Sequence, residues 1–303
     1  MENILITGGT GVIGTRLTEL LQQAGYSVSY LSRSAGKPNG IKTFIWEPAK
    51  GQMDEDALLD ADYIINLSGA GVFDHKWNKE YKEEILASRV NATHLIYEKL
   101  KAKRKSPKAF ITASAIGIYG ADTGLNVNTE ESPAGDDFLS QVCKQWEVAA
   151  NYMESLGIRT VKIRVGIVLS RKGGALEMLE ATVKRGAGSA LGSGKQIVSW
   201  IHIDDLCHLF IKALKDDSMS GVYNGVAPNP VTNEELTKTL GEVLHKPIIL
   251  PNVPSFALKL MLGAERAESV LGSSKVSAEK ALKTGFKFEF GQLKPALTDL
   301  YKE

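Results

Sequence analysis

Cysteine is scarce in this 303-residue chain: Cys143 and Cys207 stand alone, far apart and at no metal-ligand spacing. A disulfide framework and a cysteine-bound metal are both excluded, and a reduced cytoplasmic protein is the simplest reading. Net charge is also nearly absent, at +1 from 36 basic and 35 acidic residues. That balance argues against nucleic acid or an anionic membrane surface as partner. No apolar run approaches the length of a membrane-spanning helix. No basic segment precedes the first strand pattern, so no signal peptide is expected. Internal repeats and low-complexity tracts are lacking too. What is present is ordinary globular composition, 43% hydrophobic and 23% charged, with enough apolar residues for a sizeable core.

The first half alternates strand and helix patterns. "NILIT" leads into a helix through "TRLTELLQQAG". "SVSYLSR", "KTFIWE", a helix near "DEDALLD" and "DYIINLSG" follow. A long helix is predicted over "KEYKEEILASRVNATHLIYEKLKAK", then "KAFITASAIGIYG", a helix over "DFLSQVCKQWEVAANYMESLG", and "RTVKIRVGIVL". Strands that alternate with helices and read as near-continuous apolar runs predict a parallel sheet covered on both faces. After about residue 170 the pattern loosens. "KRGAGSALGSGKQ" reads as a loop and "HKPIILPNVPSF", with three prolines, as a connector. The expected architecture is α/β: a Rossmann-type doubly wound core over residues 1–165. Residues 166–303 mostly form a smaller C-terminal substrate-side lobe, with some segments returning to the core.

"ILITGGTGVIGTRL", residues 4–17, carries the strongest chemical signal. Gly9, Gly11 and Gly14 satisfy G-x-G-x-x-G, and Gly8, Gly11 and Gly14 satisfy G-x-x-G-x-x-G. The turn follows a strand and opens a helix, the context a dinucleotide requires. Early glycines allow the tight turn, Gly11 admits a pyrophosphate, and Gly14 lets helix and strand pack. Gly8, Gly9, Thr10, Gly11, Val12, Ile13 and Gly14 are therefore expected at the cofactor, with its phosphates at the helix N-terminus. An NAD site places an acid about 20 residues past the last glycine, on the ribose 2′-hydroxyl. Here Arg33 stands 19 residues past Gly14, between Ser32 and Ser34, with no acid beside it. A guanidinium suits a 2′-phosphate, so NADP is expected rather than NAD.

With "INLSGAG", "ITASAIGIYG", "IRVGIVLS" and "SWIHIDDL", these features resemble the extended short-chain dehydrogenase/reductase family, which contains nucleotide-sugar epimerases and dehydratases. "GDDFLSQVCKQWE" and "KALKTGFKFEFGQLKPAL" resemble an atypical "epimerase family" branch, some bacterial members of which bear a cell-division-inhibitor label for which no residue here argues. The resemblance implies cofactor contacts from Leu67, Ser68 and Gly69. It also implies a catalytic Ser, an upstream Asn and a Tyr-x-x-x-Lys pair whose Tyr is the acid/base.

The resemblance puts Ser114 in the serine role, with Thr112 as the register alternative. In the helix from Phe138, Glu147 aligns with the glutamate four residues past the usual Lys. Cys143 then fills the Lys slot and Leu139 the Tyr slot, so that helix lacks the pair. Ser140, Gln141, Lys144, Gln145 and Asn151 read as its polar side; Phe138, Val142, Trp146, Ala149 and Met153 read as its buried stripe. Lys144 pairs at i−4 with Ser140. Cys143 flanks the stripe, either as a small buried hydrophobe or as a reactive thiol. Arg89 takes the Asn slot. It serves either as a cation for a phosphate, a substrate carboxylate or the cofactor, or as a surface arginine paired with Glu83 or Glu84. Tyr119 is the phenol nearest Ser114 in sequence, a substitute acid/base unless it simply packs. His202, Asp204 and Asp205 are read as structural, an Asp capping the next helix. Lys184, Arg185 and Lys195 flank a glycine-rich loop that either closes over an anionic substrate or is a solvated connection.

The expected function is that of an NADP-dependent oxidoreductase or epimerase acting on a small molecule, any anionic group of which would be met by Arg89 and that loop. The alternative is a catalytically silent NADP-binding or regulatory module. A monomer or homodimer, without metal, is expected.

Overall fold

A computed structural model describes residues 1–303 except 35, 37, 104, 105 and 303. In chain order, the first elements are β1 (Asn3–Thr7), α1 (Val12–Gln23), β2 (Ser27–Ser32), β3 (Lys42–Glu47), β4 (Gln52–Met53), α2 (Asp56–Leu59), β5 (Tyr63–Asn66) and α3 (Lys79–Lys103). Next come β6 (Ala109–Ala115), β7 (Val127–Asn128), α4 (Phe138–Asn151), β8 (Arg159–Val165), β9 (Ile167–Leu169), α5 (Ala175–Lys184), β10 (Ile197–Val198), β11 (Trp200–His202), α6 (Ile203–Lys215) and β12 (Gly221–Gly225). The chain finishes with β13 (Val231–Thr232), α7 (Asn233–Val243), α8 (Ser255–Leu262), α9 (Ala264–Leu271), β14 (Lys275–Val276), α10 (Glu279–Lys283) and α11 (Leu293–Leu300).

Eight strands form one sheet in the order β12-β8-β6-β5-β1-β2-β3-β4. β6, β5, β1, β2 and β3 run parallel to one another, and β4 is antiparallel to β3. The apolar runs of β1 and β5 are buried along almost their whole length, as they must be when helices cover both faces. Strand order reverses direction at β1, with β2 on one side and β5 on the other. That switch point is where ligands of such sheets bind, outside the strands' carboxyl ends.

The chain divides into two compact units. Unit 1 comprises Met1–Ser114, Val142–Ile163 and Cys207–Val222; unit 2 comprises Ala115–Gln141, Arg164–Leu206 and Tyr223–Glu303. Residues 115–141, placed by sequence in the Rossmann core, thus cluster with unit 2, and the two units are nearly equal in length. Unit 1 is built on Leu5, Leu31, Trp46, Leu58, Ile96, Phe110 and Met153. Unit 2 has its own core around Leu169, Trp200, Leu240 and Leu297. Among the described residues no helix is long and apolar enough to cross a membrane, and no acidic, histidine or cysteine cluster could hold a metal.

Candidate active site

The turn between β1 and α1 is glycine-rich for four separate reasons. Gly8 sits at φ +68, and a Cβ there would lie 2.7 Å from the Leu67 carbonyl oxygen. Gly9 makes room for the Tyr30 ring, which a Cβ would meet at 2.3 Å. That ring is fixed, because the Tyr30 hydroxyl donates to Thr18 Oγ1 at 2.8 Å and Thr18 in turn donates to the Gly14 carbonyl at 2.8 Å. Gly14 packs on the turn itself, with a Cβ 2.4 Å from Gly8 O and 2.6 Å from Gly9 Cα. Gly11 differs: only Gly8 O comes within 4 Å of its Cβ position, at 3.3 Å. The space over Gly11 is therefore left open by the protein.

Gly11 is also the N-cap of α1, with no side-chain hydrogen bond to the cap and no acid in the first turn. The first N–H groups of a helix lack intrahelical acceptors, and here the N-cap residue supplies none from a side chain. An uncapped N-terminus behind an open glycine is a cradle for a phosphate. These features fit the phosphates of a dinucleotide.

Beside the turn, β5 ends in a buried polar network. Asn66 Oδ1 accepts from Thr7 Oγ1 at 2.6 Å and Ser68 Oγ at 2.7 Å, and its amide donates to Thr93 Oγ1 at 3.0 Å and Thr112 Oγ1 at 3.2 Å. Thr7 Oγ1 accepts from the backbone N–H of Leu67 and Ser68. Ser88 of α3 accepts from Ala70 N at 2.9 Å. Leu67, Ser68 and Gly69, which the sequence places at the cofactor, are thus held at the carboxyl end of β5. A Cβ on Gly69 would fall 2.8 Å from the Arg89 guanidinium carbon.

At the end of β2, Ser32 Oγ accepts from Ser34 N at 3.3 Å and closes a tight turn around Arg33. Arg33 is exposed, and no ion pair or hydrogen bond occupies its guanidinium among the described residues. Thr10 is exposed at the glycine turn, and Val12 and Ile13 are half-buried behind it.

Further along the sheet the structure gathers Ser114, Glu147, Arg89, Trp146 and Cys143 in unit 1. Ser114 ends the unit's stretch of β6, is buried, and donates from Oγ to Glu147 Oε1 at 2.7 Å. Glu147 is itself a buried carboxylate on α4. Arg89 corrects the alternative of a surface pair with Glu83 or Glu84: it is half-buried, donates from Nη1 to the Ile85 carbonyl at 2.9 Å, and lies over the Trp146 ring at 5.2 Å. No carboxylate pairs with it among the described residues. Burial lowers the Arg89 pKa from the ordinary arginine value, with the nearby Cys143 and Tyr81 pulling it back up. Trp146 Nε1 is buried and has no hydrogen-bond partner among the described residues. Cys143 is buried, like the stripe it flanks.

Two other expectations change. Ser140 is not on the polar side of α4 and is not a partner for Lys144. It is fully buried, and its Oγ lies 3.0 Å from both the Gly117 carbonyl and Asp137 Oδ1. The reason is capping: Asp137 Oδ1 accepts from Ser140 N at 2.9 Å, and Oδ2 accepts from Ala121 N at 2.8 Å. Tyr119 takes its packing alternative. It belongs to unit 2, where its buried hydroxyl donates to Asn224 Oδ1 at 2.6 Å and accepts from Arg164 Nη1 at 2.9 Å. Burial raises its pKa, with Arg164 opposing. Leu139 lies near Gly117, offering no proton. A literal Tyr-x-x-x-Lys, Tyr97 to Lys101, does occur on α3. Its ring packs against the core of unit 1 and stands among His94 and Tyr152, with Lys101 Nζ 5.6 Å from it.

His202 and Asp205 are structural. His202 Nδ1 accepts from Asp204 N at 3.2 Å, so the histidine rather than an aspartate opens α6. Fully buried Asp205 accepts from Glu289 N at 2.8 Å and Phe290 N at 2.9 Å. Asp205→Ala strands two part-buried donors and is expected to destabilise unit 2 by about 1–3 kcal/mol, read by chemical denaturation; an unchanged midpoint contradicts it. In the 184–196 loop, Lys184 is taken up by Glu180 at 2.5 Å, whereas Arg185 is exposed.

Sequence reasoning used Glu147 only as an alignment marker and missed its chemistry. The signal was there: a carboxylate between Trp146 and Ala149, on the side of the helix read as buried. Thr7, Asn66 and Thr93 carried no signal beyond being polar in apolar runs.

The model of the NAD dependent epimerase/dehydratase family matches residues 4–224, and that of a domain of unknown function, DUF1731, matches residues 253–300. The chain is 36% identical over 299 residues to the epimerase family protein YfhF of Bacillus subtilis (strain 168), covering 98% of this chain and 97% of that one. The crystal structure of human epimerase family protein SDR39U1 (isoform 2) with NADPH superposes with a TM-score of 0.87 at 33% identity, covering 98% of each chain. A nucleoside-diphosphate sugar epimerase from Corynebacterium glutamicum gives a TM-score of 0.79 at 34% identity. It covers 99% of this chain, which spans 58% of that longer one.

Proposed function

The chain belongs to the NAD dependent epimerase/dehydratase family, and on that premise we propose that it is an NADP-dependent oxidoreductase or epimerase working on a small molecule in the cytoplasm. The observation that carries the cofactor choice is Arg33: an exposed guanidinium without a partner among the described residues, in the turn that ends β2, where an NAD site has an acid. The NADPH in the SDR39U1 structure supports the same choice. Gly8, Gly9, Thr10 and Gly11, with the N–H groups of Val12, Ile13 and Gly14, would hold the pyrophosphate. Ser32, Arg33 and Ser34 would hold the 2′-phosphate; Leu67, Ser68 and Gly69 would line the cofactor beyond it. When bound, the nicotinamide supplies a two-electron hydride acceptor or donor.

The chain's own residues do the rest. Arg89, over the Trp146 ring and without a paired carboxylate among the described residues, offers a fixed positive charge to an anionic substrate group or to the cofactor. Ser114 offers its oxygen to a substrate hydroxyl or carbonyl. Leu139 and Cys143, in the α4 positions of the family's usual Tyr and Lys, favour one competing reading, a silent NADP-binding module.

The test is a titration of NADPH and NADH against wild type and Arg33→Ala. A charged hydrogen bond is worth about 1.5–3 kcal/mol, so wild type should prefer NADPH by roughly 10-fold or more and the variant should lose that preference. Equal wild-type affinities would sink the assignment.

A further inference from the structure

The buried contact between Ser114 and Glu147 has no part in the function proposed above. Ionised, a carboxylate has no proton and can only accept; the 2.7 Å contact then commits the Ser114 proton to Glu147 and leaves the serine oxygen able only to accept from a third group. A neutral Glu147 reverses the bond: the acid donates to Ser114 Oγ, and the serine proton turns outward. The pair therefore has two states that differ by one proton and present opposite faces to a ligand. One accepts from an alcohol; the other donates to a carbonyl. Both residues are buried, so water is a poor competitor for that proton. Serine alone is far too weak an acid or base for the task at neutral pH, whereas a carboxylate behind it is not.

We propose that Glu147 is the proton acceptor and donor that works through Ser114 when a substrate alcohol is oxidised or its ketone reduced. This rests on the NADP-dependent reading above. In the oxidative direction the alcohol O–H bond breaks and its proton passes to Ser114 Oγ as the serine's own proton passes to Glu147 Oε1. The carbinol hydrogen leaves with its electron pair to the oxidised nicotinamide. The carbon becomes a carbonyl, the nicotinamide is reduced by two electrons, and Glu147 ends neutral. Reduction runs the same steps backwards. The lack of an acid/base at Leu139 is then answered from the next turns of α4, eight residues along.

Glu147→Gln is the diagnostic variant, because the amide oxygen still accepts from Ser114 but holds no exchangeable acid proton. The probe reaction is reduction of an activated aromatic vicinal diketone, phenanthrenequinone, by NADPH. Wild-type kcat should be lower in D₂O than in H₂O, since the relay moves exchangeable protons in the reducing step. Glu147→Gln should lower kcat about 10²-fold and change that solvent isotope effect, with NADPH affinity within about twofold of wild type; Glu147→Asp should recover part of the rate and the isotope effect. A merely structural Glu147 would leave the isotope effect unchanged in Glu147→Gln, and that result overturns the proposal, as does wild-type kcat in that variant. If wild type binds NADPH but reduces no diketone, the relay fails while the cofactor assignment stands. If it does not bind NADPH, the parent reading fails first.

Discussion

Gly11→Val is expected to abolish NADPH binding while circular dichroism and the thermal transition stay close to wild type. Gly11 holds φ −75 and ψ 175, extended backbone that valine adopts without strain. Its Cβ position meets one atom, Gly8 O at 3.3 Å, which a shift of a few tenths of an ångström relieves. The branches would instead occupy the open space in front of the α1 N-terminus. A phosphate kept from two or more N–H groups loses about 1.5–3 kcal/mol for each, so affinity should drop by 10²-fold or more. Gly14→Ala is the matching control for packing. Its Cβ would lie 2.4 Å from Gly8 O and 2.6 Å from Gly9 Cα, backbone atoms that no rotamer moves. That variant should lose about 1–3 kcal/mol of stability as overpacking does, and lose binding only through the distorted turn. Retained NADPH affinity in a folded Gly11→Val protein would place the phosphates elsewhere.

Arg89→Ala and Ser114→Ala should each cut turnover by roughly 10²-fold or more, the scale of losing one positioned charge or one proton-transfer group. Cys143→Ala should keep most of it. Arg89 has no carboxylate to neutralise it among the described residues, and its guanidinium carbon lies over the Trp146 ring at 5.2 Å, so removal deletes an unneutralised cation. Arg89→Lys keeps the charge but loses the fork and the stacking, and should recover only part of the rate. Steady-state kinetics on carbonyl compounds and nucleotide sugars provide the measurement. A collapse of kcat in Cys143→Ala with cofactor affinity unchanged would make the thiol the reacting group. Absence of turnover across the whole screen would favour the silent module.

How much of this was legible depends on whether the cause was local. The helix over 79–103 and the strand–glycine–helix unit at the N-terminus were readable, because each is decided by periodicity or turn chemistry within its own span. "RTVKIRVGIVL" reads as one strand but is two, β8 and β9, parted at Gly166. A Cβ there would strike Ser199 O at 2.6 Å and Val226 Cγ1 at 2.8 Å, neighbours that no local pattern reveals. The helix read through Gly157 ends at Asn151 and tightens into a 3₁₀ turn over Tyr152–Leu156. Among site residues, Arg33 and the glycines followed from spacing. Arg89 did not: α3 offers acids at 83 and 84, and the ring that claims it is Trp146, far along the chain. The Asn66 network joins residues 7, 66, 68, 93 and 112, which only the sheet brings together.

The interleaving of the two units has a consequence for biosynthesis. Unit 1 closes only with Cys207–Val222, and β8 has β12, Gly221–Gly225, as its outer neighbour in the sheet. A chain emerging from the ribosome has therefore made β8 long before the strand that covers it. Through that interval the sheet ends in a row of unpaired N–H and C=O groups, the template on which strands of other chains add. Pairings so distant in sequence are also slow to form. A stall or premature stop between β8 and β12 leaves that edge without the strand that covers it, so prolonged pausing in that window is expected to raise aggregation of the nascent chain.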